Sequence, residues 1–99
     1  MTETYSSAVW TVKPGEEDAF VDAWKEFVGW AATMPGSGTF RLVRDLEDPS
    51  RFLSFAPWES ADAAREWQQH PEFPERLSRP RGHCQDFQSA GYELAAEVS

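Results

Sequence analysis

Only one cysteine, Cys84, occurs in the 99-residue chain, so no intrachain disulfide can form, and a lone thiol suits the reducing cytoplasm. One cysteine and two histidines, His70 and His83, are too few for a zinc site built from the usual nitrogen and sulfur donors. Basic residues are scarce as well: nine Lys and Arg face seventeen Asp and Glu, a net charge of −8. Such a chain has little to offer a phosphate backbone, which excludes nucleic acid as a partner. Its one local basic cluster, Arg76, Arg79 and Arg81, reads as a solvated helix end that suits the macrodipole. No apolar run approaches the roughly 20 residues that a membrane span requires. The opening Met1-Thr2-Glu3-Thr4 has no basic segment followed by an apolar stretch, so a chain without a secretory signal is expected. No internal repeat and no low-complexity segment is seen.

What the chain does have is aromatic surface. Hydrophobic residues make up 40% of it and aromatics 14%, including five tryptophans, which places it among folded proteins. At this length a second core would leave each half too small, so residues 1–99 are expected to form one domain. Some tryptophans must be core, and the rest are free to line a cavity or an interface.

Tyr5 to Val12 reads as a strand, with Ala8, Trp10 and Val12 on one face, ended by Lys13-Pro14-Gly15. Glu16 to Met34 reads as a helix: Phe20, Ala23, Trp24, Phe27, Ala31 and Met34 form one apolar stripe. Glu16, Glu17 and Asp18 suit its positive end, and Pro35-Gly36 stops it. Thr39 to Arg44 and Arg51 to Trp58 are two further strands joined by a turn-rich Asp45–Ser50, hence an antiparallel hairpin. Ser60 caps a short helix that ends by His70, because Pro71 disfavours helical geometry before it. Pro71 can open another short helix, with Phe73 and Leu77 as its apolar pair. Cys84 to Val98 reads as the last strand; its apolar parity switches, which predicts a β-bulge near Ala90-Gly91. The order βαββαβ is the ferredoxin-like α+β arrangement, an antiparallel sheet with helices on one side. The other face carries apolar residues, so a homodimer through the sheet is expected to cover it.

The segment Phe52-Leu53-Ser54-Phe55-Ala56-Pro57-Trp58-Glu59-Ser60 points most directly to a site. Phe52, Ser54, Ala56 and Trp58 share a parity and project from one face, a hydroxyl among apolar groups with an indole at the rim.

From about Val9 to Leu94 the chain resembles the antibiotic biosynthesis monooxygenase family, whose members form dimeric α+β barrels. Val12 to Trp24 resembles the first strand and helix entry, and Met34-Pro35-Gly36 followed by Leu42 resembles the turn into the second strand. Phe52 to Ser60, followed by His70-Pro71, resembles the third strand and the short helices. The resemblance implies an oxygenase that needs no flavin, haem or metal. Such enzymes oxidise aromatic polyketides, anthrones for example, to quinones with dioxygen in secondary metabolism. The ionised substrate reduces dioxygen itself, so the protein need only bind it, favour its anion and exclude water. The family's Asn four residues before the strand-end Trp is Ser54 here, and a Tyr of some members six residues after it is Ala64. A haem-degrading branch of the fold has a helix Trp matching Trp67, but its ligating His falls at Leu77 and its first-strand Asn near Ala8. Haem cleavage is therefore not expected, although His70 or His83 offers a ligand from another position.

On this reading Ser54 donates to an oxyanion, Trp58 positions the substrate and His70 is the base, since imidazole titrates near neutrality. Trp67 covers the substrate, and Trp24, Phe27 and Phe52 contact it. Each has a plainer role: Ser54 a locally bonded strand serine, Trp58 and Trp67 core, Trp24 and Phe27 helix packing, His70 a helix end. His83 is a weaker candidate in a Gly-containing connection. Arg41 is expected to pair across the dimer, and Cys84 to be inert. Two other functions remain open: a non-catalytic dimer that binds a small molecule or a protein, and a polyketide cyclase or isomerase.

Overall fold

In the computed structural model, which describes residues 3–99, two strands of strictly alternating burial form the centre of the molecule. Met1 and Thr2, part of the segment read for a leader, lie outside the described residues. β1 (Thr4–Val12) buries Ser6, Ala8, Trp10 and Val12, and β3 (Arg51–Trp58) buries Phe52, Ser54, Ala56 and Trp58. The two pair antiparallel with Ala8 opposite Ser54, so their inward side chains share one face.

Around them stand α1 (Glu17–Ala31), β2 (Arg41–Arg44), α2 (Ala61–Gln68), α3 (Phe73–Arg81) and β4 (Cys84–Glu93). All neighbours in the sheet are antiparallel, in the order β2-β3-β1-β4. The helices cover the even-numbered face of β1 and β3, which makes this the ferredoxin-like α+β fold. Phe20 and Trp24 of α1 pack with Trp10, Val12 and Phe52 in one cluster. Phe27 and Ala31 pack with Trp58, Ala64 and Trp67 in a second. Among the described residues no helix is long and apolar enough to cross a membrane.

Local chemistry sets the element ends. Ser60 Oγ accepts from the Ala63 N–H at 3.0 Å, capping α2. α1 has no side-chain cap; Glu16 instead reaches His83, with Oε1 at 2.9 Å from Nδ1. Gly36, at φ +83°, ends the turn after α1, where a side chain would meet Ala63 Cβ at 2.9 Å. Its carbonyl accepts from Glu59 N–H at 2.7 Å, which ties this turn to the end of β3 beside Trp58.

Several boundaries differ from the sequence reading. α1 ends at Ala31 rather than Met34, and β2 begins at Arg41 rather than Thr39. β4 stops at Glu93, and Leu94 N–H donates to the Glu3 carbonyl at 2.8 Å beyond it. The expected bulge at Ala90-Gly91 is absent, because those residues pair regularly with Ser7 and Ser6. The register slips instead between Thr11 and Val12, opposite Asp86 and Cys84, so that Gln85 is skipped. Apolar parity does not report direction in this strand, because its apolar residues lie on both faces. Phe87, opposite Trp10, does face the helices, but Tyr92 lies on the outer face and is 60% exposed.

Candidate active site

A hollow of about 230 Å³ lies between the sheet and the helices, with walls drawn from both core clusters. Trp10 and Ser54 come from the central strands, Trp24 and Phe27 from α1, Trp67 from α2 and Phe73 from α3. Ser89 of β4 also lines it and is exposed, so the hollow reaches solvent on that side.

Its polar groups are held in a reciprocal pattern. The Trp10 Nε1–H donates to Ser54 Oγ at 2.9 Å, and the Trp58 Nε1–H donates to Ser6 Oγ at 2.9 Å. Ser6-Ser7-Ala8-Val9-Trp10 and Ser54-Phe55-Ala56-Pro57-Trp58 follow the same Ser-x-Ala-x-Trp pattern on antiparallel neighbours. Each indole reaches diagonally across the strand boundary to the other segment's serine. Each serine oxygen therefore accepts from an indole and keeps its own proton to give. Both serines line the hollow and are more than nine-tenths buried.

Trp67 is caged by aromatic rings. It stacks on Trp58 at 5.0 Å and 24°, and Phe73 meets it edge-on at 5.0 Å. Phe27 and Phe40 approach at 5.8 and 5.9 Å. Its Nε1 is buried and has no hydrogen-bond partner among the described residues.

Of the residues singled out in the sequence, Ser54, Trp24, Phe27 and Trp67 come together around this hollow. Trp58 and Phe52 are buried on the same face but do not line it. Trp58 stands behind Trp67 and holds Ser6; Phe52 packs on Phe20 at 5.1 Å with the Arg44 guanidinium over its ring. His70 does not reach the hollow: its ring meets Trp30 edge-on at 5.2 Å, and its Nδ1 accepts from the Glu72 N–H at 3.0 Å. Its place at the end of α2, where the chain turns into α3, dictates both contacts.

His83 is likewise engaged with Glu16. Arg41 is exposed on β2, without an ion pair among the described residues. Burial pushes the Cys84 thiol up to about 11, away from the reactive thiolate. Among the described residues no titratable side chain lines the hollow, and no group of three or more His, Cys, Asp and Glu is arranged to hold a metal ion.

Ser6 and Trp10 are among the lining residues that the sequence did not single out for the site, as are Phe73 and Ser89. Extending the parity of Ala8, Trp10 and Val12 back by two residues reaches Ser6, and the pattern it shares with Ser54 to Trp58 is visible in the chain. Five residues were too short a match to register as a repeat.

The profile of the antibiotic biosynthesis monooxygenases matches residues 5–75, more than two thirds of the chain. No curated protein matches it in sequence. Among solved structures, a Bordetella bronchiseptica protein described as a candidate antibiotic biosynthesis monooxygenase is 19% identical. That alignment covers 97% of this chain and 100% of the other, with a TM-score of 0.85. SnoaB, a cofactor-independent oxygenase from Streptomyces nogalater, is 20% identical, covers 100% of this chain and 97% of its own, and has a TM-score of 0.81. At such identities the structural likeness carries the fold.

Proposed function

The chain belongs to the antibiotic biosynthesis monooxygenase family, and from that premise we propose that it oxidises an electron-rich aromatic small molecule with dioxygen, without a cofactor. The observation that carries the reading is Ser54, which lines an aromatic hollow with its oxygen fixed by the Trp10 indole, so that its hydroxyl proton is left for another acceptor. A phenolate or enolate bound there gains a donor for its oxygen where water is largely displaced. Trp24, Phe27 and Trp67 form the walls, and Trp58 acts as a positioning residue through Ser6 and Trp67.

The anion passes an electron to dioxygen, and the two radicals join in a carbon–oxygen bond. The resulting peroxide loses its carbon-bound hydrogen as the O–O bond breaks, leaving a carbonyl and one water. The substrate supplies all four electrons, so anthrone and dioxygen give anthraquinone and water with no external reductant. No titratable side chain among the described residues lines the hollow, so the substrate's own acidity supplies the anion in this scheme. We place the working unit as a homodimer joined through the outer sheet face, where Val43, Leu53 and Tyr92 are 46%, 40% and 60% exposed. A cytoplasmic setting agrees with the lone cysteine.

The test is oxygen uptake and quinone formation by metal-free protein, across a series of anthrones and hydroxynaphthalenes. Turnover above the buffer rate that falls in Ser54→Ala supports the proposal; no turnover with any member overturns it. Ser54 and Ala64, at positions where the family carries Asn and Tyr, favour a second reading, a dimer that binds an aromatic ligand without reaction. Binding without oxygen uptake identifies that case, and a rearranged product without oxygen uptake identifies a cyclase or isomerase.

A further inference from the structure

Small-molecule sites usually measure about 300–1,000 Å³, and the hollow, at about 230 Å³, is small for one. A groove of about 300 Å³ adjoins it, between α2 and the paired ends of β1 and β4. Ser6 and the exposed Gln68 line both spaces.

The inner face of β4 runs from one space to the other. Opposite Trp10, Ala8 and Ser6 stand Phe87, Ser89 and Gly91, so the side chains shrink away from the hollow and reach a glycine. Glycine weakens a strand, and there it commonly marks a bulge, a bend, or a close approach by another backbone or a ligand. The structural reasons do not apply to Gly91. Its pairing with β1 is unbroken on both sides, and its φ is not positive. A Cβ placed there meets nothing nearer than the Tyr5 carbonyl oxygen at 4.0 Å. Gly91 thus borders open space, and it lines the groove together with Ala61 and Ala64 of α2. Of the usual reasons for glycine in a strand, room for a ligand is the one left.

The groove's charges indicate what enters it. Arg65 and Glu93 line it, and the Arg65 guanidinium is engaged by Asp62 at 2.8 Å. An anion there meets a cation already paired and a carboxylate. Small residues on both walls leave room for a narrow, uncharged chain.

We propose that this groove is a second subsite of the hollow, taking an uncharged, unbranched alkyl arm of the aromatic ligand, and that Gly91 is the specificity-determining residue that keeps it open. The inference rests on the reading of the hollow as the substrate site. It concerns binding, so its readout is independent of turnover.

The probes are 2-naphthol and 6-pentyl-2-naphthol, titrated by calorimetry into the full-length protein. The wild type is expected to bind the pentyl compound at least about tenfold more tightly, because several methylenes leave water. Gly91→Val fills the open space with a side chain that suits a strand. It should remove most of that preference, leave 2-naphthol binding unchanged and unfold in urea no earlier than the wild type. Ala61→Leu, at an exposed position on the opposite wall, narrows the groove independently and should act in the same way.

Equal affinity for the two naphthols in the wild type overturns the subsite, as does a pentyl preference that survives both replacements. Loss of 2-naphthol binding in the folded variants overturns the division into two subsites. Binding of neither naphthol defeats the hollow as a binding site, and this inference with it. A Gly91-dependent pentyl preference, with no oxygen uptake across the anthrones and hydroxynaphthalenes, defeats the oxygenase reading alone.

Discussion

Trp10 and Ser54, on neighbouring strands, are joined by a buried hydrogen bond of 2.9 Å in which the indole donates and the hydroxyl accepts. The bond gives Ser54 two duties. It satisfies an indole N–H that would otherwise be stranded in the core, and it fixes the oxygen of a serine that lines the hollow. The role proposed for this serine is therefore coupled to its structural one.

Replacing Ser54 with Ala should lower stability by about 1–3 kcal/mol, because it orphans the buried Trp10 N–H. Urea unfolding followed by tryptophan fluorescence measures this. Ser54→Cys keeps a weak acceptor and should recover part of the loss. Equal stability of wild type and Ser54→Ala would mean that the Trp10 N–H finds another partner.

The pH dependence of turnover should follow the substrate. No titratable side chain among the described residues lines the hollow, so on the proposed reading the protonation that matters is that of the bound phenol or enol. Rates should rise with pH and level off above the substrate's pKa. A substrate about one unit more acidic should move the midpoint down by about one unit. A midpoint that stays fixed across substrates would point to a protein group acting as base.

The fold was legible because burial in β1 and β3 alternates without a break, and Phe52, Ser54, Ala56 and Trp58 do turn inward together. The hairpin, the Ser60 cap and the helix stripe follow from equally local signals. Other features depend on the partner strand or helix. Whether Trp58 lines a hollow or stands behind one is decided by Trp67, nine residues away on a helix. His70 is set by the turn between α2 and α3, which residue type does not encode. The end of β4 misled because apolar residues lie on both faces of this sheet, so hydrophobicity does not report direction there.

Cys84 should resist alkylation in the folded protein. Burial raises its pKa to about 11, and its Sγ donates to the Pro80 carbonyl at 3.6 Å. The folded group is thus a neutral thiol at neutral pH, and its thiolate fraction grows only as pH climbs toward that value. Iodoacetamide labelling at pH 7 should be at least about tenfold slower than in urea-unfolded protein, where the thiol titrates normally. Equal rates would show that the thiol is open to solvent.

The outer sheet face leads to the last prediction. In an antiparallel sheet with one face in water, the strands read apolar inside and polar outside. Here the outer face keeps Val9, Leu53, Phe55 and Tyr92 on three adjacent strands, with Val43 on the fourth. Removing that surface from water gains roughly 25 cal/mol for each square ångström buried, and a second copy of the chain can present a matching surface. Light scattering coupled to size exclusion should therefore report twice the mass of the chain at micromolar concentration. Leu53→Glu places a carboxylate on the outer face of a central strand, where a two-fold would bring it near its copy, and should give a monomer with an unchanged far-ultraviolet spectrum. If the wild type runs as a monomer, or Leu53→Glu remains dimeric, the face has another occupant or none.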